Sequence, residues 1–126
     1  MTALRISIAL LIILVLSSLF FNKILNNTSN NIVTQLEQLE ESIKQDNWNK
    51  AQIQMTAIQK SWEDAERWMA TLIDHHEIDN IKMTLSRANQ FVRYKKNADF
   101  MAESAVLKHL INHIPAMEKI NFANLF

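Results

Sequence analysis

The chain has 126 residues, enough for one domain, and its 13 Lys and Arg balance its 13 Asp and Glu. It contains no Cys and no Gly, which excludes disulfides, thiolate metal sites, Cys nucleophiles and Gly-rich phosphate loops. A neutral chain has no general electrostatic attraction to nucleic acid, so we expect no nucleic-acid partner. A Gly-free chain rich in strong helix formers is expected to be all-α.

The first segment of the chain is apolar on every side. Residues 6–21 carry no charge, and Ala3 and Leu4 extend the stretch past Arg5. A helix over residues 3–21 would be about 28 Å long, close to the roughly 30 Å of a bilayer's hydrocarbon core. We therefore expect residues 1–23 to form a transmembrane anchor whose residues 3–21 contact the lipid bilayer.

A cleaved signal peptide is the alternative interpretation of this segment, with Arg5 as its positively charged start. Ser17 and Ser18 offer only a poor cleavage site, and Phe20 and Phe21 stand where a polar region should begin. The anchor is therefore favoured. The positive-inside rule then predicts a single-pass protein of the cell membrane, with a cytoplasmic amino terminus and an extracytoplasmic domain.

Polar residues separate the anchor from the rest of the chain. Residues 24–31 are rich in Asn and are predicted to be a polar neck, and residues 32–126 to be a helical bundle. The bundle begins with a narrow apolar stripe at spacings of 4, 3 and 4: Ile32, Leu36, Leu39 and Ile43. Such a stripe also suits a helix that pairs between two chains, which makes a second copy an alternative partner.

A longer heptad seam comes after a helix end near Asp46 and Asn47, which can cap the next helix. Its residues are Trp48, Ala51, Met55, Ile58, Trp62, Ala65, Met69 and Leu72. Asp74 and Glu77 have the spacing of a capping box, so a new helix is expected to begin there. Without Gly or Pro at this point, one bent helix over residues 47–96 remains an alternative.

Two further apolar faces complete the predicted bundle of three to four antiparallel helices. The first consists of Ile78, Ile81, Leu85, Ala88 and Val92, widened by Phe91 and Tyr94, and the second of Phe100, Leu107, Leu110, Ile111 and Ile114. Pro115 is expected to end the last helix. The apolar tail, residues 117–126, is expected to dock on the bundle.

The charges divide between two arms of the chain. Residues 37–79 carry ten acidic and four basic side chains, whereas residues 82–119 carry seven basic and three acidic ones. Packing of the two arms against each other would pair these charges. Alternatively, a basic patch faces anionic lipid headgroups. It consists of Arg87, Arg93, Lys95 and Lys96.

Few residues are candidates for a metal site, a partner surface or a catalytic site. His109 and His113 share a helix face and, with His76, are weak candidates for metal ligands, although no established metal motif occurs. Trp48 and Trp62 lie on the seam and are expected in the core. Trp68 lies off the seam and is a candidate for a partner surface together with the four basic residues of the patch. We expect no catalytic residue, no cofactor and no enzymatic activity.

The whole chain resembles the domain-of-unknown-function family 4363, small bacterial proteins with one N-terminal hydrophobic segment and a helical remainder. The similarity covers roughly residues 4–126. It is carried by Trp62 and Trp68, the stretch Ile73 to Ile81, Leu85, Arg87, and the ending from His113 to Phe126. The resemblance implies a multi-span membrane protein as partner. The resulting hypothesis is a non-enzymatic accessory or interaction protein; a ligand- or metal-binding sensor and a self-associating coiled coil are the alternatives.

Overall fold

A computed structural model of the protein describes the backbone of residues 1–125 and the side chains of residues 1–114. Over this range the chain forms four helices: α1 (Thr2–Lys44), α2 (Trp48–Met69), α3 (His75–Arg93) and α4 (Asn97–Leu125). No strand occurs among the described residues. The predicted class, an apolar N-terminal helix followed by a helical bundle, is confirmed.

The four helices pack in a closed up-down-up-down square. α1 contacts α2 and α4, and α3 contacts the same two helices, so each helix has two antiparallel neighbours. The α1–α2 and α3–α4 turns therefore lie at one end of the bundle. The α2–α3 turn lies at the other end, beside the apolar start of α1.

The heptad seam of α2 forms one wall of the core, as its spacing predicts. Six of its eight residues are buried, while Trp48 and Leu72 at the two ends are half-buried. The five residues at the centre of the face predicted for α3 are buried too, and Phe91 beside them is half-buried. Tyr94 is 68% exposed because it caps the end of the helix rather than widening its face. Residues 47–96 are two helices, separated by the turn at residues 70–74.

The apolar stripe from Ile32 to Ile43 is fully buried inside a single chain. α2 and α4 cover it from two sides. This burial disfavours pairing of the stripe with a second chain, because its apolar surface is already removed from water. Self-association as such stays a prediction.

Two helix ends use a left-handed residue without Gly. Asp46 and Lys95 both have φ of 56°. After each, the next N–H bonds five residues back, Asn47 N to Ser42 O at 2.9 Å and Lys96 N to Phe91 O at 2.8 Å. These bonds are those of Schellman motifs, which satisfy the last carbonyl groups of α1 and α3.

The start of each following helix is capped by a side chain. The Asn47 side chain accepts a hydrogen bond from the Lys50 N–H, as the sequence predicts for α2. Asp74 caps α3 by accepting from the His76 N–H at 3.1 Å. The reciprocal bond of a capping box, from the Asp74 N–H to the Glu77 side chain, is not formed.

Two expectations about the chain's irregular segments differ from the structure. Residues 24–31 lie inside α1, which runs from the apolar segment into the bundle without a break; their division from the anchor stays a prediction. Pro115 does not end α4, which extends to Leu125, because a helix can pass through a Pro at the loss of one hydrogen bond. The expected docking of the tail lies outside the described side chains.

Candidate functional site

The first five turns of α1 project from the bundle with their apolar side chains uncovered. Every residue from Met1 to Ser17 is exposed, and Leu19, Phe20 and Phe21 are exposed as well. This is the one helix within residues 1–125 that is long and apolar enough to cross a membrane. It lies near the amino terminus, where a signal sequence would meet the same description.

Two serine hydroxyls of this segment form hydrogen bonds within the helix. The Ser7 hydroxyl donates to the Ala3 carbonyl at 2.9 Å, and the Ser17 hydroxyl donates to the Ile13 carbonyl at 2.7 Å. A hydroxyl bonded in this way presents mainly its apolar surface outward. The segment can therefore lie in hydrocarbon without an unpaired side-chain donor from Ser7 or Ser17.

The environment of α1 changes over about one helical turn. Phe21 is still 40% exposed, whereas Leu25 is completely buried. From Leu25 onward the helix alternates buried and exposed residues, as a bundle helix does. One end of α1 is thus an exposed apolar helix, and the other end is part of the bundle core.

The α2–α3 turn meets α1 at this change of environment. Leu72 in the turn lines an apolar concavity of about 640 Å³ together with residues of α1. The α1 residues are Leu10, Ile13, Leu14, Ser17, Ser18 and Phe21. The end of the bundle that carries this turn lies next to the predicted anchor and is called the anchor end below.

The candidate metal ligands stay apart from other ligating side chains. His109 and His113 lie with nearly parallel rings, 6.3 Å between centroids, on an exposed face of α4. His76 is exposed in the first turn of α3. No group of three or more His, Asp or Glu side chains that could hold a metal ion occurs among residues 1–114.

The predicted partner-surface residues do not form one surface. Trp68 is half-buried against the core near the anchor end. Arg93, Lys95 and Lys96 lie around the α3–α4 turn at the opposite end. The length of α3, roughly 28 Å, separates the two groups. This placement disfavours contact between the basic patch and the headgroups around the anchor; a role as partner surface stays a prediction for both groups.

Arg87, the remaining residue of that set, is already engaged within the bundle. Its Nε donates to Glu103 on α4 at 2.6 Å, and a second nitrogen lies 3.5 Å from the Thr84 hydroxyl. The guanidinium therefore joins α3 to α4 and has fewer donors free for a partner.

Pairing between the acidic and basic arms accounts for two ion pairs. Lys82 on α3 lies 3.2 Å from Glu66 on α2, and Lys108 on α4 lies 2.9 Å from Glu40 on α1. These contacts support the simpler interpretation of the charge pattern, that the arms complement each other. The Arg87–Glu103 pair joins two residues of the basic arm itself.

A partly buried polar cluster joins α1 to α4, and the sequence did not suggest it. Glu40 accepts a hydrogen bond from the Ser104 hydroxyl at 2.7 Å and forms an ion pair with Lys108, and its side chain is only 15% exposed. Glu40 lies 64 residues from Ser104, and no local pattern links the two. This cluster fixes α4 against the bundle half of α1.

Trp62 is core rather than the wall of a ligand pocket, as predicted from its seam position. It is 2% exposed, and its indole N–H is buried without a hydrogen-bond partner among the described residues. The groove above it, between α2 and α3, has a volume of about 160 Å³ and is bridged by the Lys82–Glu66 pair. Typical small-molecule sites are larger, about 300–1,000 Å³.

Comparison with known families identifies the chain. The family described as "Domain of unknown function (DUF4363)" matches residues 19–125. The protein belongs to this family. The match begins at the inner end of the apolar segment and covers all four helices of the bundle, in agreement with the resemblance found in the sequence. No curated protein and no solved structure matches the chain.

Proposed function

We propose that this DUF4363 protein is a single-pass membrane protein whose helical bundle acts, without enzymatic activity, as an accessory or interaction module for a multi-span membrane partner. The observation that carries the proposal is the continuity of α1. One unbroken helix contains both the uncovered apolar segment and one of the four helical walls of the bundle core. A bundle joined in this way would be held against the bilayer at a fixed height and orientation, as suits a protein that works beside another membrane protein.

The residues after the apolar segment favour the anchor over a cleaved signal peptide. Signal peptides end in small residues at a processing site. Here Phe20 and Phe21 come soon after Ser18, and the helix continues directly into the buried Leu25 and Ser29. Loss of the segment at Ser18 would leave a helix with two exposed aromatic residues at its start.

The proposed orientation rests on the charges that flank the segment. Arg5 and the terminal amine precede it, and Lys23 alone lies close after it. By the positive-inside rule the amino terminus is cytoplasmic and the bundle extracytoplasmic.

The absence of an enzymatic role is proposed from the state of the acidic side chains. Glu40, Glu66 and Glu103 are each engaged by a Lys or Arg across a helix–helix contact. We assign these three carboxylates a packing role, because a cation of the same chain binds their oxygens and the pairs join neighbouring helices.

The membrane assignment is tested by replacing Leu14 with Arg. A charge at the centre of a spanning helix costs about 2.5–3.5 kcal/mol of insertion free energy. Leu14→Arg should shift the full-length protein from the carbonate-resistant membrane fraction toward the soluble fraction. The matched control is Leu14→Val, which should stay in the membrane. Equal membrane retention of the arginine variant would contradict the anchor.

The orientation is tested with single-cysteine labelling, since the natural chain has no Cys. Lys95→Cys lies at the exposed distal turn and should react with a membrane-impermeant maleimide on intact cells. Reaction only after lysis would place the bundle in the cytoplasm.

The accessory role is tested by cross-linking in native membranes, with the full-length protein carrying a C-terminal tag. A single reproducible membrane partner supports the proposal. Recovery of only the protein itself counts against it and favours self-association.

A metal-binding sensor is the alternative suggested by the parallel His109 and His113 rings. Zn²⁺ that binds the folded protein must raise its thermal midpoint. A midpoint that rises in the natural protein but not in His113→Ala would favour this alternative.

A further inference from the structure

The α2–α3 turn lies at the depth at which the proposed anchor leaves the hydrocarbon. If residues 3–21 cross the roughly 30 Å core, Phe21 lies at its boundary and Ser17 and Ser18 lie about one helical turn inside. Leu72 lines the same concavity as these three residues. The tip of the turn is therefore level with the edge of the bilayer, not raised above it.

The wall of this concavity has the chemistry of a lipid-facing surface. Among the residues whose side chains the structure describes, seven line it; none of these seven is ionisable, and five are Leu, Ile or Phe. The wall is continuous with the uncovered surface of α1, which the proposed function places in lipid. Acyl chains that surround the anchor would thus reach Leu72 without crossing a polar barrier.

Hydrogen bonds within the turn pair several of its polar groups, as a poorly hydrated position requires. The Leu72 and Ile73 N–H groups both bond to the Met69 carbonyl at 2.9 Å, and the Thr71 hydroxyl donates to the Trp68 carbonyl at 2.8 Å. Near hydrocarbon, backbone N–H and C=O groups must be hydrogen-bonded within the protein, because water is scarce there. Trp68, one turn earlier and half-buried, is the residue type that favours the membrane interface.

We propose that the α2–α3 turn, residues 70–74, is a second contact of the protein with the bilayer, in which Leu72 enters the outer edge of the hydrocarbon among the lipid acyl chains. This inference rests on the proposed anchor. The exposed Asp74, whose carboxylate caps α3, limits the insertion to the tip and stays at headgroup level. The bundle would then contact the bilayer at two places, α1 and the turn. Two contacts restrict the tilt of the bundle relative to the membrane.

The test uses nitroxide labels on single cysteines in the full-length protein. The vesicles contain phosphatidylcholine and phosphatidylglycerol, and power saturation compares accessibility to oxygen, which concentrates in lipid, with accessibility to a water-soluble nickel chelate. Leu72→Cys reports the turn. Ile12→Cys reports the anchor, and Lys95→Cys reports the distal, water-exposed turn.

We expect the label at position 72 to be accessible to oxygen and to have lost most of its accessibility to nickel, as at position 12, while position 95 shows the reverse. Accessibility to nickel at position 72 equal to that at position 95 overturns the proposal. Accessibility to neither reagent also overturns it, because the turn would then be covered by protein rather than lipid.

Two controls keep the outcome decisive. A label at position 12 that is open to nickel would refute the anchor and with it this inference, whereas lipid at position 12 with water at position 72 refutes the inference alone. If Leu72→Cys disturbs the fold, seen as a lowered thermal midpoint, Thr71→Cys replaces it, because Thr71 is exposed beside it.

Discussion

The two halves of α1 belong to one helix but have different surfaces. Residues 2–21 expose apolar side chains on all sides, whereas residues 25–43 bury a narrow stripe and expose polar residues elsewhere. Leu14 is 46% exposed and Leu36 is completely buried. The comparison teaches that a Leu in a helix stabilises a fold only where other elements cover it. Where Leu side chains are uncovered on every side, as in the first half of α1, the helix is long and apolar enough to cross a membrane.

The largest loss of stability is expected from Trp62, a buried core residue of α2. Trp62→Ala should lower the free energy of unfolding by about 3–5 kcal/mol, because it removes the largest buried side chain. Denaturant unfolding of the full-length protein in detergent, followed by circular dichroism, measures this. Ile53→Ala, at a site that is 72% exposed, is the control and should change stability by less than about 0.5 kcal/mol. A loss below about 1 kcal/mol for Trp62→Ala would show that the seam is misassigned.

The comparison is sharpened most directly by one substitution made in both halves. Leu36→Ala should cost about 2–5 kcal/mol of bundle stability, because it leaves a cavity between α1 and its neighbours. Leu14→Ala should leave the unfolding midpoint of the bundle unchanged, since Leu14 is 46% exposed and lies outside the buried core formed by residues 1–114. The same unfolding assay applies to both variants. Equal losses would mean that the apolar half packs on protein and would break the comparison.

A smaller effect is expected from the polar contact that holds α4 to the bundle half. Glu40→Ala should cost about 1.5–3 kcal/mol, because it leaves Lys108 and the Ser104 hydroxyl without their acceptor in a half-buried site. Glu41→Ala, at the next and exposed position, is the matched control. A double-mutant cycle with Lys108→Ala separates the ion pair from the hydrogen bond to Ser104. Additive losses from Glu40 and Lys108 would show that the pair contributes nothing of its own.

The smallest expected effect is a gain at the end of the bundle farthest from the anchor. Lys95 holds a left-handed conformation that Gly adopts without steric cost. Lys95→Gly should therefore raise the free energy of unfolding by roughly 0.5–1 kcal/mol while leaving membrane association unchanged. Lys96→Gly, at the next position of the same turn, should not stabilise the protein. Loss of membrane association in Lys95→Gly would show that the distal basic residues bind the bilayer after all.

Much of the fold could be predicted because its signals are local. The 3-and-4 spacing from Trp48 to Leu72 marks a buried face whatever it packs against, and Asn47 and Asp74 mark helix starts through bonds to residues two or three positions away. The predictions for Tyr94 and Pro115 were wrong for one reason: helix ends depend on the surrounding packing, which a spacing pattern does not contain. The candidate site was predicted only as an apolar segment, since the approach of Leu72 to it joins positions about 50 residues apart.

Local patterns in the amino-acid sequence are enough to establish that the chain is helical, which faces are apolar, and that residues 3–21 match the length of a bilayer, because composition and period act through neighbouring residues. The packed structure was needed to show that α1 is continuous, that its stripe is covered by α2 and α4, and that Trp68 and Lys95 lie at opposite ends. It was also needed to bring Glu40 to Ser104 and Lys108. These are contacts between distant parts of the chain, and they arise from the order in which four helices close on each other rather than from any short stretch of residues.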